Sequence, residues 1–177
     1  MDPEVAGSKP VTHPNLHLQS VPVKASVLYR VASGLLVLFA AGHTFGFHQA
    51  DPAWGVGAVI EAMQSSHFVV EGFTRTYWDF FLGTGFVVAV FYLFAAVVAW
   101  QLGGLPKVTL ASMRVTAWSF ALGFAAVTAI SWRFLFWIPI VFSAAVTACL
   151  IAAVWCSGAD AAASAPQKLG DPRRRSI

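Results

Sequence analysis

The chain has 177 residues, of which 58% are hydrophobic and only 11% are charged, and its formal net charge is +3. Soluble domains average roughly 45–50% apolar and about 25% charged residues. This composition therefore excludes an ordinary water-soluble domain and predicts an integral membrane protein.

The two ends of the chain differ from its apolar middle. Residues 1–26 hold four prolines among polar residues and lack the apolar run of roughly 7–15 residues that a signal peptide requires. We therefore expect a cytoplasmic N-terminal arm. Residues 157–177 are small and then basic, which predicts a disordered basic tail. Its Arg-Arg-Arg run indicates membrane orientation or contact with anionic lipid, and not nucleic-acid binding.

Four apolar segments are long enough to cross a bilayer, which needs roughly 20 apolar residues in helical form. They lie at about residues 27–47, 80–100, 112–130 and 134–155. The sequence thus predicts an all-α fold, a four-transmembrane-helix bundle over residues 27–156. Only residues 131–133 separate the last two spans, and Arg133 beside Trp132 predicts a turn at the membrane interface. Pro139, inside the fourth span, predicts a kink.

Basic residues are distributed unevenly about these spans. Nine lysines and arginines lie in the N-terminal arm, at the base of the first span, in the second connection and in the C-terminal tail. Only Arg75 and Arg133 lie on the other side. The positive-inside rule therefore predicts a multi-pass protein of the inner membrane with both termini in the cytoplasm.

The first connection, residues 48–79, is about 30 residues long, which is too long for an idle linker between packed helices. Its apolar residues recur at helical intervals, at Val56, Val59, Ile60, Met63 and Val70. This pattern predicts an amphipathic helix at about residues 54–71 that caps the outer face of the bundle. The helix either lies flat on the membrane or is re-entrant.

Glycines in the first two spans predict close helix approach. Gly34, Gly42 and Gly46 are spaced by eight and four residues, and Gly83 and Gly85 open the second span. Small residues let helix backbones approach closely in a membrane, where no hydrophobic force drives helices together.

The candidates for chemistry are ionisable residues near the outer end of the bundle. His43 lies near the outer end of the first span, where an ionisable side chain is either a functional group or a hydrogen-bonded packing residue. His67, Glu71, Arg75 and Asp79 follow at intervals of four. In a helix each of these residues can pair with the next one. If the cap folds over the bundle, His43 meets Glu71 or His67 in one pocket.

The stretch Thr76–Asp79 also has a structural interpretation. Thr76 and Asp79 match a capping box in which Asp replaces the usual Glu or Gln. Tyr77 and Trp78 have the character of interface anchors. Asp79 is therefore assigned to helix capping. The remaining ligand-binding candidates are His43, His67, Glu71, Arg75, Tyr77 and Trp78.

Three chemistries are open to these residues. His43 and Glu71, as catalytic acid and base in an apolar pocket, can move a proton on a lipidic or quinone-like substrate. His43 and His67 can ligate the iron of a haem or another porphyrin, or a carboxylate–histidine relay can move protons. No metal-binding motif is present, the two cysteines are interpreted as buried apolar residues, and the cofactor stays unassigned.

At YRVASGLLVLFAAGHTFGF the chain resembles the opening span of the DoxX-like group of small four-helix membrane proteins. With RTYWDFFLGTGF and SWRFLFWIPIVFSA, it more closely resembles an uncharacterised family of bacterial four-helix integral membrane proteins over most of residues 27–156. The resemblance implies the four-span topology. DoxX is associated, as a small membrane subunit, with a thiosulfate:quinone oxidoreductase, and the long acidic outer connection of this chain departs from it.

The leading functional hypothesis is an accessory subunit or hydrophobic-ligand-binding component of a membrane complex. The alternatives are a membrane enzyme with a His/Glu acid–base pair and a haem-binding membrane protein. The expected partners are the lipid bilayer, a hydrophobic small molecule or quinone, and a partner membrane subunit or second copy of the chain. No nucleic-acid partner is expected.

Overall fold

The computed structural model describes residues 23–163, and describes side chains for residues 25–158. Within that range it has six α-helices and one antiparallel pair of strands. They are α1 (Val23–Gly46), α2 (Gly57–Ser65), β1 (His67–Val70), β2 (Phe73–Thr76), α3 (Tyr77–Gly104), α4 (Lys107–Ser112), α5 (Arg114–Phe134) and α6 (Trp137–Ala163). A short 3-10 turn, Pro52–Trp54, follows α1. Most of the predicted N-terminal arm and C-terminal tail lies outside the described residues.

The predicted all-α, four-transmembrane-helix bundle is confirmed. Helices α1, α3, α5 and α6 are each long and apolar enough to cross a membrane, with mean hydropathies between 1.5 and 2.4 over their most apolar windows. The chain therefore has the architecture of a multi-pass membrane protein. Helix α3 begins before and ends after the predicted span at residues 80–100, because hydropathy detects the apolar part of a helix and misses its polar, hydrogen-bonded ends.

Helix α1 is the centre of the bundle, packing against α3 on one side and α6 on the other, and α5 packs against α6. We call the end that carries β1 and β2 the hairpin end, and the opposite end, where α3 leads into α4, the α4 end. The buried core is richest towards the α4 end, where its α1 and α3 members are mostly alanines: Ala25, Tyr29, Ala32, Leu36, Ala95, Ala96, Ala99 and Leu102.

Helices α1 and α3 are joined by hydrogen bonds from serine side chains. The Ser33 hydroxyl donates to the Ala96 carbonyl oxygen at 2.8 Å, and the Ser26 hydroxyl donates to the carbonyl oxygen of Gly103. A Cβ on Gly103 would lie 3.1 Å from the Ser26 carbonyl oxygen. The two backbones therefore approach closely at the α4 end, where a side chain larger than that of glycine would be crowded.

The glycines predicted to mediate close approach in the first span do not do so. Gly34, Gly42 and Gly46 have open space where a Cβ would stand, as does Gly83. Of the predicted glycines, Gly85 alone among the described residues lies in a crowded position, against the ring of Phe47. Alanine and serine supply the small surface of α1 instead, because a methyl or hydroxymethyl group fits the spacing between the helices.

The first connection contains a helix, as predicted, but α2 covers only part of the predicted 54–71 segment. Residues 67–76 form a β-hairpin, in which Val70 pairs with Phe73. Glu71 and Gly72 at the turn have φ angles of 52° and 84°. Positive φ at both central residues is the signature of a tight type I′ hairpin turn and is incompatible with an α-helix. The predicted helix is therefore wrong beyond Ser65.

The last turn between spans also lies later in the chain than predicted. Helix α5 continues through residues 131–133 and ends at Phe134, so the chain turns at residues 135–136 instead. Pro139 is then the third residue of α6. Its missing N–H has no intrahelical acceptor in the first turn of a helix, so the position accommodates proline and the kink predicted there is not required.

Candidate functional site

The predicted capping box is present and connects the hairpin directly to α3. The Asp79 backbone N–H donates to the Thr76 hydroxyl oxygen at 3.1 Å, and the Thr76 backbone N–H donates to the Asp79 carboxylate at 2.8 Å. Two donors at the helix start are thereby satisfied. Since β2 ends at Thr76 and α3 begins at the next residue, this pair of hydrogen bonds fixes the direction in which the hairpin leaves the bundle.

His43 is half-buried and faces α3. Its Nε2 lies 3.1 Å from the Gly85 carbonyl oxygen. Because a carbonyl oxygen accepts, Nε2 is the donor and carries the proton. The imidazole is stacked between the rings of Phe39 and Phe47, at centroid distances of 6.1 and 4.9 Å. This geometry is that of a hydrogen-bonded packing residue, one of the two alternatives for His43.

Phe47, which directly follows α1, extends this stack and packs against α3. Its ring lies 5.7 Å from that of Phe81 and 5.4 Å from that of Phe86, both on α3. A Cβ on Gly85 would overlap the Phe47 ring. The site therefore needs Phe39, Phe47 and Gly85, none of which sequence reasoning selected as a functional residue. The spacing of Phe39, His43 and Phe47 by four residues was the signal that could have found it.

The remaining ionisable candidates lie on the hairpin and are exposed. The His67 ring Nδ1 donates to the Ser65 carbonyl oxygen at 2.8 Å, and Glu71 occupies the turn. The Arg75 guanidinium donates to the Thr74 carbonyl oxygen and lies 5.2 Å from the Phe73 ring centroid. Each of these contacts is local to the connection.

The predicted helical pairing of His67 with Glu71 and of Glu71 with Arg75 is absent, because the segment is a hairpin. The strand register places His67 opposite Thr76 and Phe68 opposite Arg75. Within the described residues no hydrogen bond of His43 reaches Glu71 or His67. The structure thus brings His43 together with Gly85 and two phenylalanines, and leaves the hairpin candidates apart from it.

Tyr77 and Trp78 occupy the first turn of α3. The exposed Tyr77 ring lies 5.0 Å from that of Phe68 on β1, and the half-buried Trp78 stacks on Phe81 at 5.3 Å. Both residues lie at the N-terminal end of α3, next to its apolar stretch. The predicted anchoring at the membrane interface stays a prediction that suits this position.

The described residues contain no group of three or more His, Cys, Asp or Glu side chains that could hold a metal ion. Cys149 and Cys156 are free thiols and are half-buried. An aromatic recess between the helices has an inner volume of about 10 Å³ and is lined by Leu36, Phe39, Tyr92, Phe124, Phe142, Ser143 and Val146. It has room for about one water molecule. A larger cavity, of about 90 Å³, lies at the α4 end.

Comparisons of the chain with models of protein families, with curated proteins and with solved structures found no match. The resemblance to DoxX-like proteins therefore stays a prediction from the sequence.

Proposed function

We propose that this membrane protein is a non-catalytic component of a membrane complex, in which the hairpin end of the bundle binds a partner protein. The observation that carries the proposal is a structured β-hairpin that presents apolar side chains outside the bundle. The cross-strand neighbours Val70 and Phe73 are 41% and 60% exposed on one face of the hairpin, and Val69 is 72% exposed on the other face. Exposed apolar side chains grouped on one surface element are typical of interaction sites.

The hairpin is held in one orientation and does not depend on a flexible linker. The capping box ties Thr76 to Asp79, and the Phe68 ring packs against Phe80 of α3 at 5.6 Å. A surface that is already ordered loses less conformational entropy when it binds. This preorganisation favours a binding role for the hairpin.

The hairpin also offers main-chain hydrogen-bonding groups. Its sheet has two strands, so within the described residues the outer edge of each strand has no neighbouring strand. Unpaired strand edges are templates for an added strand. The cross-strand pair Val70 and Phe73 supplies apolar contacts beside that edge, as strand addition requires for specificity.

Charge at the hairpin end favours a protein partner over an anionic membrane surface. The four carboxylates among the described side chains, Asp51, Glu61, Glu71 and Asp79, all belong to the first connection or the start of α3. Anionic lipids attract basic segments, and carboxylates beside the hairpin oppose that attraction. A partner with a basic rim around an apolar centre fits this surface.

The enzyme and haem-binding alternatives both require His43 to act with a second group. In the structure His43 already donates to Gly85, while Glu71 and His67 are exposed on the hairpin. These positions give the alternatives no support, whereas the exposed hairpin supports a binding role directly.

Site-specific photo-crosslinking in intact cells tests the proposal. A photoreactive amino acid at Phe73 is expected to give a discrete protein adduct, identified by mass spectrometry as a different chain or a second copy of this one. The matched control places the same group at Val108 on α4, which is 71% exposed at the opposite end of the bundle. Adducts with lipid alone at position 73, or the same protein adducts from both positions, would contradict the proposal.

A further inference from the structure

The cavity at the α4 end has a mixed lining that does not resemble a simple packing gap. It has a volume of about 90 Å³ and is formed by Tyr29, Leu110, Ala111, Arg114, Ala117, Val154, Ser157 and Gly158. A single water needs roughly 10–15 Å³ of such space. The cavity therefore has room for several waters or for a compact polar group.

Tyr29 of α1 is the deepest polar member of this lining. The residue is 0% exposed, and its hydroxyl is the one buried side-chain polar atom without a hydrogen-bond partner within the described residues. A buried hydroxyl that makes no hydrogen bond costs about 1–3 kcal/mol. A fully buried tyrosine beside a cavity therefore indicates that a group in the cavity accepts a hydrogen bond from the Tyr29 hydroxyl.

Arg114, the first residue of α5, supplies a positive charge at the rim. It is exposed, and its guanidinium reaches towards α6, where a Cβ on Gly158 would lie 3.7 Å from Nη2. A guanidinium presents several N–H donors in a plane that matches the oxygens of phosphate. The nearby Ser157 hydroxyl donates to the Ala153 carbonyl oxygen at 2.8 Å and so is already satisfied as a donor.

The charge around the cavity favours an anion. Arg30 and Lys107 lie at the same end of the bundle as Arg114, whereas the described side chains at this end include no carboxylate. An anion in the cavity would therefore meet the attractive charge of Arg114, with Arg30 and Lys107 at the same end of the bundle. Opposite charge in a site that is partly shielded from water is less screened by salt than it is at an open surface.

We propose that this cavity binds a phosphate-type oxyanion, which accepts hydrogen bonds from the Tyr29 hydroxyl and the Arg114 guanidinium. The walls formed by Leu110 and Val154 are apolar, and the cavity lies at the end of four helices that are long enough to span a membrane. The phosphate can thus belong to an anionic phospholipid or be free in solution. The site is separate from the hairpin surface and does not rest on the proposed partner.

Native mass spectrometry of the full chain in mild detergent tests the site. The probes are dioleoylphosphatidylglycerol and dioleoylglycerol, which has the same acyl chains without a phosphate. We expect the phosphatidylglycerol to bind at least about tenfold more tightly, and Tyr29→Phe and Arg114→Gln each to weaken it about tenfold, because each removes a hydrogen bond to a charged group.

Two variants serve as matched controls. Tyr92→Phe removes a hydroxyl from the aromatic recess, and Arg133→Gln removes a positive charge from the hairpin end of α5. Both are expected to bind phosphatidylglycerol within about twofold of the wild type, because neither removes a group from the cavity. A thermal unfolding curve for every variant verifies that it is folded.

A second arm adds inorganic phosphate and records thermal unfolding, which distinguishes the two sources. Stabilisation by phosphate that is lost in Tyr29→Phe and Arg114→Gln, without preference for phosphatidylglycerol over dioleoylglycerol, supports the site and identifies a soluble oxyanion as its ligand. The proposal is overturned if a preference for phosphatidylglycerol, or a stabilisation by phosphate, is unchanged in either cavity variant. It is likewise overturned if both lipids bind equally and phosphate gives no response. An effect of Tyr92→Phe or Arg133→Gln equal to that of the cavity variants also overturns it.

Discussion

The two ends of the bundle are held together by different kinds of contact. At the α4 end, small buried residues such as Ala32 and Ala99 bring α1 and α3 close together, and Ser33 donates across the contact. At the hairpin end, α3 meets α1 through the hydrogen bond of His43, and the ring of Phe86 packs against that of Phe47, which directly follows α1. One helix pair therefore combines backbone-to-backbone packing with ring-mediated packing.

This difference indicates which end of the bundle tolerates substitutions. Close backbone contact has no spare volume, because interiors are packed near the density of organic crystals. Rings that pack at intermediate burial can rotate or move outwards, so the hairpin end is more tolerant of change. The two proposed sites lie at different ends, the cavity of Tyr29 at the α4 end and the exposed hairpin at the hairpin end.

Enlarging a small residue at the α4 end should have the largest effect. Ala32 is 0% exposed on the face of α1 that belongs to the core. We expect Ala32→Leu to lower the free energy of unfolding by about 3 kcal/mol, because a larger side chain in a packed contact forces off-rotamer conformations and backbone shifts. Denaturation in mixed detergent micelles measures this change.

Ala41→Leu is the control for this prediction, since Ala41 lies on the same helix and is exposed. It should change the free energy of unfolding by no more than about 0.5 kcal/mol. Equal losses in the two variants would show that the alanines of α1 are not distinguished by their contacts, and the contrast between the ends would fail.

A methyl group at Gly85 should have an intermediate effect. Its Cβ would overlap the Phe47 ring, which has to move, and we expect Gly85→Ala to cost about 1–2 kcal/mol of unfolding free energy. Gly83→Ala is the control because Gly83 has open space around it. Removing the ring as well, in a Gly85→Ala, Phe47→Ala double variant, should reveal a coupling of about 1 kcal/mol; additive losses would contradict the proposed contact.

Much of the architecture could be predicted from the sequence because it depends on local composition. Apolar runs of sufficient length define the four spans, and the capping box of Thr76 and Asp79 depends only on residues three apart. Both features need no knowledge of which helices touch. They are correct in the structure for that reason.

The structure of the first connection was harder to predict because its sequence contains both a helical pattern and a hairpin pattern. The helical spacing from Val56 to Met63 is real and forms α2, but extending it to Val70 relied on a single further match. The β-branched and aromatic residues on either side of Glu71–Gly72 resemble a hairpin with a two-residue turn. Glutamate is uncommon at positive φ, and the sequence Glu71–Gly72 was therefore not recognised as a hairpin turn.

The candidate site was predicted only in part, because it depends on contacts between helices. An isolated histidine in an apolar span indicates a special position, and His43 does occupy one. Its acceptor, the Gly85 carbonyl oxygen, is a backbone atom 42 residues away. A backbone acceptor has no sequence signature, so reasoning from side chains paired His43 with Glu71 or His67 instead.

Replacing His43 should have the smallest effect on stability and bears most directly on its role. We expect His43→Leu to lower the free energy of unfolding by about 0.6 kcal/mol, the average for a hydrogen bond between membrane helices, because Leu keeps an apolar body between Phe39 and Phe47 but cannot donate to Gly85. His48→Leu, at an exposed position five residues later, should cost less. If His43→Leu instead abolishes the photo-crosslink at Phe73 while the protein stays folded, the hydrogen bond at the top of α1 would control the hairpin, and the two ends of the bundle would differ in function as well as in packing.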